Sequence, residues 1–252
     1  MIDEPFAKGH SIIHQIDPRF KIVAATVYSF AVALSHQFST LLAAVVFSVV
    51  LVWIARLDFW RVTKRVVVVN GFLLFFWIML PIFADESPFY TFGPLSISIQ
   101  GVLLATKLTL KSNAILLGLI SMVSTIPFTI LGHSLNRLKI PEKLVFLLLL
   151  TYRYYFVIEQ EYEKIMKAIK IRGFQPTTSL HSYKTFAYII GMLFVRASER
   201  ADRVYGAMRC RGFNGKFYSL ADFHVSAPSW IFSGIMTGVT LGILFLEIYF
   251  YV

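Results

Sequence analysis

The sequence predicts an all-α polytopic membrane protein with about five transmembrane helices and two long helices on the cytoplasmic side. Three observations predict it. Of 252 residues, 57% are hydrophobic and only 15% charged, where a soluble domain of this length carries roughly a quarter charged residues. Several apolar runs approach the ~20 residues needed to cross a bilayer. The basic residues behind the net charge of +10 gather in a few inter-run segments, as they do on the cytoplasmic side of membrane proteins. That clustering accounts for the charge without a nucleic-acid partner. The single cysteine, Cys210, excludes an internal disulfide and a cysteine metal cage.

The elements follow in order. Asp3, Glu4, Lys8 and His10 precede the first apolar run, an order unlike that of a cleaved signal peptide. The first run is Phe20–His36. Asp17 suits its N-cap, and Pro18 suits the first helical position, where a missing N–H costs nothing. Thr40–Ala55 and Val66–Ala84 come next. Between them, Arg56–Arg65 holds Arg56, Arg61, Lys64 and Arg65 against Asp58 alone, whereas Asp85–Pro94 holds Asp85, Glu86 and no base. The first segment is therefore expected inside and the second outside, with the N-terminus inside and His36–Ser39 outside. The stretch FGPLSISIQGVLLATKLTLKSN is expected to approach from outside as an amphipathic segment, and Ala114–Leu131 to cross inward. Trp230–Val252, with Ser226 and Pro228 just ahead, is the last span.

Parity then constrains the middle of the chain. After Leu131 the chain is inside, among Arg137, Lys139 and Lys143. If Leu144–Ile158 spanned, Lys164, Lys167, Lys170 and Arg172 would lie outside, against the positive-inside rule. The run is short and contains Arg153. The better expectation is a long cytoplasmic helix over Pro141–Gly173. Phe186–Val195 is likewise too short to span and leads into Arg196, Glu199, Arg200 and Arg203, so a second such helix is expected over Ser182–Gly212. Glu163/Lys167 and Glu199/Arg203 are i,i+4 pairs that favour helix in both. The expected domains are residues 1–140 (membrane), 141–215 (cytoplasmic helices) and 216–252 (final span).

The two long helices end alike. Aligning Glu163–Phe174 with Asp202–Phe213 pairs Glu163 with Asp202, Lys164 with Arg203, Ile165 with Val204, Ala168 with Ala207, Ile169 with Met208, and Lys170 with Arg209. Arg172-Gly173-Phe174 then matches Arg211-Gly212-Phe213. Glycine sits where a helix C-terminus needs positive φ, so each arginine belongs to the last turn. A cation there complements the helix dipole by about 0.3–1 kcal/mol, which would suffice for one copy. Two copies in matched register suit a partner with two equivalent sockets, each offering a carboxylate to an arginine fork.

The pair KIRGF and RCRGF resembles the two X-Arg-X motifs that end the coupling helices of the transmembrane T component of energy-coupling factor transporters. Ser11–Lys21, SIIHQIDPRFK, is similar to that family's opening in its cobalt-type CbiQ version, and the resemblance covers nearly the whole chain. The motif more often begins with Ala where this chain has Ile171 and Cys210. The resemblance implies an inner-membrane protein that hydrolyses no ATP. Its partners would be two ATP-binding-cassette ATPase subunits, which bind ATP and Mg, and a substrate-capture membrane subunit. It further implies an ATPase-docking set of Ile171, Arg172, Gly173, Phe174, Cys210, Arg211, Gly212 and Phe213. Phe174 and Phe213 could equally be core residues. The substrate implied is cobalt, with nickel or a vitamin as alternatives.

Other chemistry finds little footing. His10 and His14 have a spacing that can hold a metal on a helix, but Pro18 starts the helix after them and no third ligand is near. His133, His181 and His224 are isolated and expected to be solvated, and adjacent Asp85 and Glu86 in a loop are weak evidence of acid–base work. No phosphate loop, nucleophile elbow or HExxH is present. A membrane-embedded lipid or phosphate transferase would need a nucleophile or base beside the arginines. An anchor on anionic lipid would use the basic cluster of Glu163–Lys216 but would need no repeat.

Overall fold

Asp17 begins the first long helix as its sequence dictates: the side chain accepts a hydrogen bond from the Arg19 N–H at 3.0 Å, with Pro18 leading the helix. The computed structural model describes residues 11–83, 88–92, 95–214 and 227–251. Expectations for His10, Asp85, Glu86, Gly93, Pro94, His224 and Ser226 fall outside these residues. In order, the elements are α1 (Ile12–Gln15), α2 (Pro18–Leu34), α3 (Phe38–Ile54), α4 (Phe59–Phe83), β1 (Pro88–Phe92), β2 (Leu95–Ser98), α5 (Ile99–Met122), α6 (Phe128–Arg137), α7 (Glu142–Ile171), α8 (Leu180–Cys210) and α9 (Ala227–Tyr251). They form two units, residues 4–134 with 222–252, and residues 1–3 with 135–221.

The first unit is a bundle of apolar helices. Phe59–Pro81, Ile99–Met122 and Pro228–Tyr249 are long and apolar enough to cross a membrane. The helices α2 and α3, with 17 residues each, stand at the short end of the spanning range of about 17–25. Of the five spans expected, three meet this length and composition among the described residues, and Phe38–Ile54 is a shorter apolar helix. Two details differ from expectation. A small antiparallel hairpin, with Tyr90 opposite Ile97 and Phe92 opposite Leu95, replaces the start of the amphipathic approach. In place of the span expected over Ala114–Leu131 stands one continuous helix over Ile99–Met122; the chain turns after Met122 and starts afresh at Phe128. The two lysines within this helix are accommodated: Lys111 Nζ donates to the Ala33 carbonyl at 2.8 Å, and Lys107 Nζ lies 5.1 Å from the Phe38 ring centre. Ala33 is in the last turn of α2, where carbonyls have no intrahelical partner.

Buried polar pairs set the direction of each helix. The helices α2 and α9 run parallel, joined at both ends. At one end the Asp17 N–H donates to Ser229 Oγ at 3.1 Å, and Phe20 packs on Trp230 with ring centres 5.5 Å apart. At the other, the Glu247 carboxylate accepts from the N–H groups of His36 and Gln37 at 2.7 and 3.3 Å and from Thr40 Oγ1 at 2.8 Å. Against α4, α5 runs antiparallel: Arg65 reaches Ser124 at 3.3 Å, the amides of Asn70 and Asn113 pair at 3.2 Å, and Trp77 Nε1 donates to Thr109 at 2.9 Å. At the centre, the Tyr28 and Ser48 hydroxyls lie 2.7 Å apart, and each reaches a carbonyl at 2.8 Å, of Ala44 and Ala114 respectively. In hydrocarbon such groups must find partners within the protein. It follows that α5 ends, and α9 begins, at the Asp17 end of the bundle.

The second unit holds α7 and α8, of 30 and 31 residues. Neither meets the length-and-composition criterion for crossing a membrane, as the sequence argument anticipated. The expected intrahelical pairs are present: Lys167 lies 3.7 Å from Glu163, and Arg203 lies 3.9 Å from Glu199. The two helices are antiparallel partners, fixed by contacts at three levels. Phe213, just past α8, packs on Phe146 near the start of α7, with ring centres 6.2 Å apart. Midway, Arg196 pairs with Glu161. Phe174, just past α7, packs on Phe186 near the start of α8 at 5.9 Å.

Candidate docking tips

Each helix of the hairpin ends in the same cap, built by its own sequence. At the first, the Gly173 N–H donates to the Lys170 carbonyl at 3.0 Å and the Phe174 N–H to the Ile169 carbonyl at 3.2 Å. At the second, Gly212 donates to Arg209 at 3.0 Å and Phe213 to Met208 at 3.1 Å. These are the paired bonds of a Schellman motif, which needs a left-handed residue after the last helical turn. Gly173 and Gly212 supply it, with φ of +83° and +79°. The matched register therefore becomes a matched conformation, and each arginine is the residue that closes its helix.

What surrounds the arginines is also alike. Arg172, Gly173, Arg211 and Gly212 are exposed. Ile171 is 87% exposed, an uncommon setting for so apolar a side chain, and Cys210 is exposed at the equivalent place. Neither guanidinium has an ion-pair partner among the described residues. Phe174 and Phe213 turn inward instead. Both are half-buried, and their rings rest on the opposite helix, Phe174 also on His181 at 6.4 Å. These ring contacts hold each tip against the opposite helix while leaving part of each ring exposed.

The hairpin sends the two tips in opposite directions. Phe213 sits beside Phe146, whereas Arg172 lies at the far end of the same 30-residue helix, roughly 40 Å away at ~1.5 Å rise per residue. No cluster of three or more metal-ligating side chains exists among the described residues. His14 is engaged with Ser11, its Nδ1 2.7 Å from the hydroxyl oxygen, and His133 is half-buried rather than solvated.

The profile of the CbiQ cobalt transport protein family matches residues 9–220, most of the chain, both tips included. The chain belongs to this family. The CbiQ-family chain is also similar to curated relatives over most of their length. Three of these are each called energy-coupling factor transporter transmembrane protein EcfT. That of Leuconostoc gelidum is 26% identical, over 82% of each chain. That of Bacillus subtilis is 25% identical, over 85% of each. That of Macrococcus caseolyticus is 25% identical, over 98% of each. The family bond and the helices above make this chain an integral membrane component of a transporter.

Sequence reasoning did not find Phe146, Phe186, Glu161 and Arg196, the residues that align the hairpin. Each lies in a stretch read as helix, but nothing in its local pattern names a partner tens of positions away.

Proposed function

We propose that this CbiQ-family chain is the coupling component of an energy-coupling factor importer, with cobalt ions as the transported substrate. It is not an enzyme. ATP and Mg are bound by two ATP-binding-cassette partner subunits, and a separate membrane subunit captures the substrate. Arg172 and Arg211 each dock into one ATPase subunit, flanked by Ile171 and Cys210 and positioned by Gly173 and Gly212. Movement of the ATPase subunits displaces the tips, and α7 and α8 carry that displacement to the capture subunit. The observation that carries this reading is the pair of identically capped arginine tips at opposite ends of one hairpin. Two separated, equivalent plugs suit a partner with two equivalent sockets. A single phosphate or lipid headgroup would instead favour arginines brought together. Cobalt rests on the family description.

Orientation is part of the same proposal. Arg56 lies between α3 and α4, and Arg61, Lys64 and Arg65 lie in the first turns of α4, at the Asp17 end of the bundle; the positive-inside rule puts that end in the cytoplasm of the cell membrane. Charge parity along the sequence puts the segment of α7 and α8 on the same side. Cysteines at Lys170 or Lys184, in a Cys210→Ser background, are then expected to resist an impermeant thiol reagent in intact cells. Labelling from outside would reverse the topology. The docking is tested by Arg172→Glu combined with Arg211→Glu in the full complex: the protein is expected to insert normally but lose its ATPase subunits in pull-downs and lose transport. Wild-type recovery of those subunits would refute it.

A further inference from the structure

Among the described residues, Glu161–Arg196 is the ion pair that joins one helix to another; the rest link residues no more than four apart. It is held where such a pair matters. The Glu161 side chain is 17% exposed, with Lys164 3.9 Å from its second oxygen. The Arg196 side chain is 48% exposed, so the half-exposed pair contributes a defined register between the two helices more than a large energy. A cavity of about 860 Å³ begins at this pair and extends along one half of the hairpin, lined by Phe146, Leu150 and Tyr154 of α7 and by Ala197, Val204 and Met208 of α8. It lies on the Arg211 side, between the ion pair and the Phe146–Phe213 contact.

We propose that Glu161 and Arg196 form the pivot of the hairpin, about which the half carrying Arg211 opens and closes while the half carrying Arg172 keeps its spacing. The inference rests on the coupling role argued above and names the residues that would control it. The cavity is open on one side, and side chains lining it have no packing partners across it, so the helices can approach there without dismantling a packed core. The pair fixes the one level that both halves share. With it intact, displacement of the Arg211 tip becomes a change of angle; without it, the helices slide and the tips lose a common reference. Glu161 and Arg196 are thus positioning residues, acting through the tips and touching no ligand.

The test reads distances within the full-length chain in lipid nanodiscs, without partners. In a Cys210→Ser background, spin labels at Lys143→Cys and Arg209→Cys report the Arg211 half, and labels at Lys167→Cys and Lys184→Cys report the Arg172 half. A broader distance distribution is expected in the Arg211 half. Ala197→Phe, which fills the cavity, should narrow that distribution and leave the other unchanged. Glu161→Arg should cost both halves their defined spacing, and Glu161→Arg with Arg196→Glu should restore it. Equal distributions that ignore Ala197→Phe, or a swap that fails to restore spacing, would overturn the pivot. In the complete transporter, Glu161→Arg should keep the ATPase subunits attached yet lose transport, and the swap should regain it; transport unaffected by Glu161→Arg would also overturn it. Because the distances are measured without ATPase, their outcome is independent of whether the arginines dock.

Discussion

The bundle and the hairpin are built from helices of comparable length and held together in opposite ways. In the bundle, helices are joined by buried hydrogen bonds to backbone groups, such as Tyr28 to Ala44 and Ser48 to Ala114, with Glu247 accepting from the His36 and Gln37 N–H groups nearer the surface. In the hairpin, the joints include the ring contacts of Phe213 and Phe174 and one ion pair, with a cavity between two of these levels. A bond to a buried backbone group cannot be exchanged for one to water without a desolvation cost of about 1–3 kcal/mol. A half-exposed ring contact or ion pair is worth less and re-forms more easily. One unit is therefore a frame and the other a lever. The difference predicts that mutations in the lever change what the protein does, and mutations in the frame change whether it stands.

The contrast is sharpest at the tips. A charge-assisted bond from each arginine is worth about 1.5–3 kcal/mol, so Arg172→Ala or Arg211→Ala should each weaken ATPase attachment about 10- to 150-fold before avidity. The double mutant should lose far more, and none should shift the thermal midpoint. The measurement is the affinity of the ATPase subunits in detergent, alongside thermal unfolding. One single mutant matching the double, with the other like wild type, would leave one dock. The frame's counterpart is Gly101. A Cβ there would lie 2.5 Å from the Leu80 carbonyl oxygen and 2.6 Å from Pro81 Cα, backbone atoms that cannot turn aside. Gly101→Ala should part α4 from α5 at a cost of about 1–3 kcal/mol, read as a lower midpoint and less protein in the membrane. An unchanged midpoint would mean the frame yields as the lever does.

Smaller effects separate the two caps from the helices that bear them. Gly212→Ala forces a side chain into the left-handed region at φ +79°, at a cost of about 1–2 kcal/mol. It should fray the last turn and reduce docking less than Arg211→Ala does. Docking equal to wild type, with helix content unchanged, would show that the cap is dispensable. Least of all, Glu163→Gln removes an exposed i,i+4 partner of Lys167, worth about 0.3–0.5 kcal/mol, and should alter neither stability nor attachment measurably.

Much of this was legible in the chain's own pattern. The bounds of α7 and α8 followed from charge pairs and from Gly173 and Gly212, because caps and i,i+4 contacts are local. The start of α5 was not legible. Lys107 and Lys111 interrupt the apolar stretch, and only the Ala33 carbonyl and the Phe38 ring, both distant in sequence, explain their place. The equivalence of the tips could be read by aligning twelve residues. Their opposite directions could not, since that depends on Phe146 meeting Phe213 and Glu161 meeting Arg196 across the hairpin.

The parallel pairing of α2 with α9 has a consequence for how the protein is made. Asp17 and Ser229 are 212 positions apart, so at ~5–20 residues per second the first helix would wait roughly 10–40 s for its neighbour to emerge. Until then the Asp17, His36 and Gln37 N–H groups and the Thr40 hydroxyl lack the acceptors that α9 brings. A nascent chain stalled before Ala227 would carry an unclosed seam in the bilayer, an object that membrane quality control can recognise. The last helix thus works as a completion signal, closing the frame only after both tips of the lever have been synthesised.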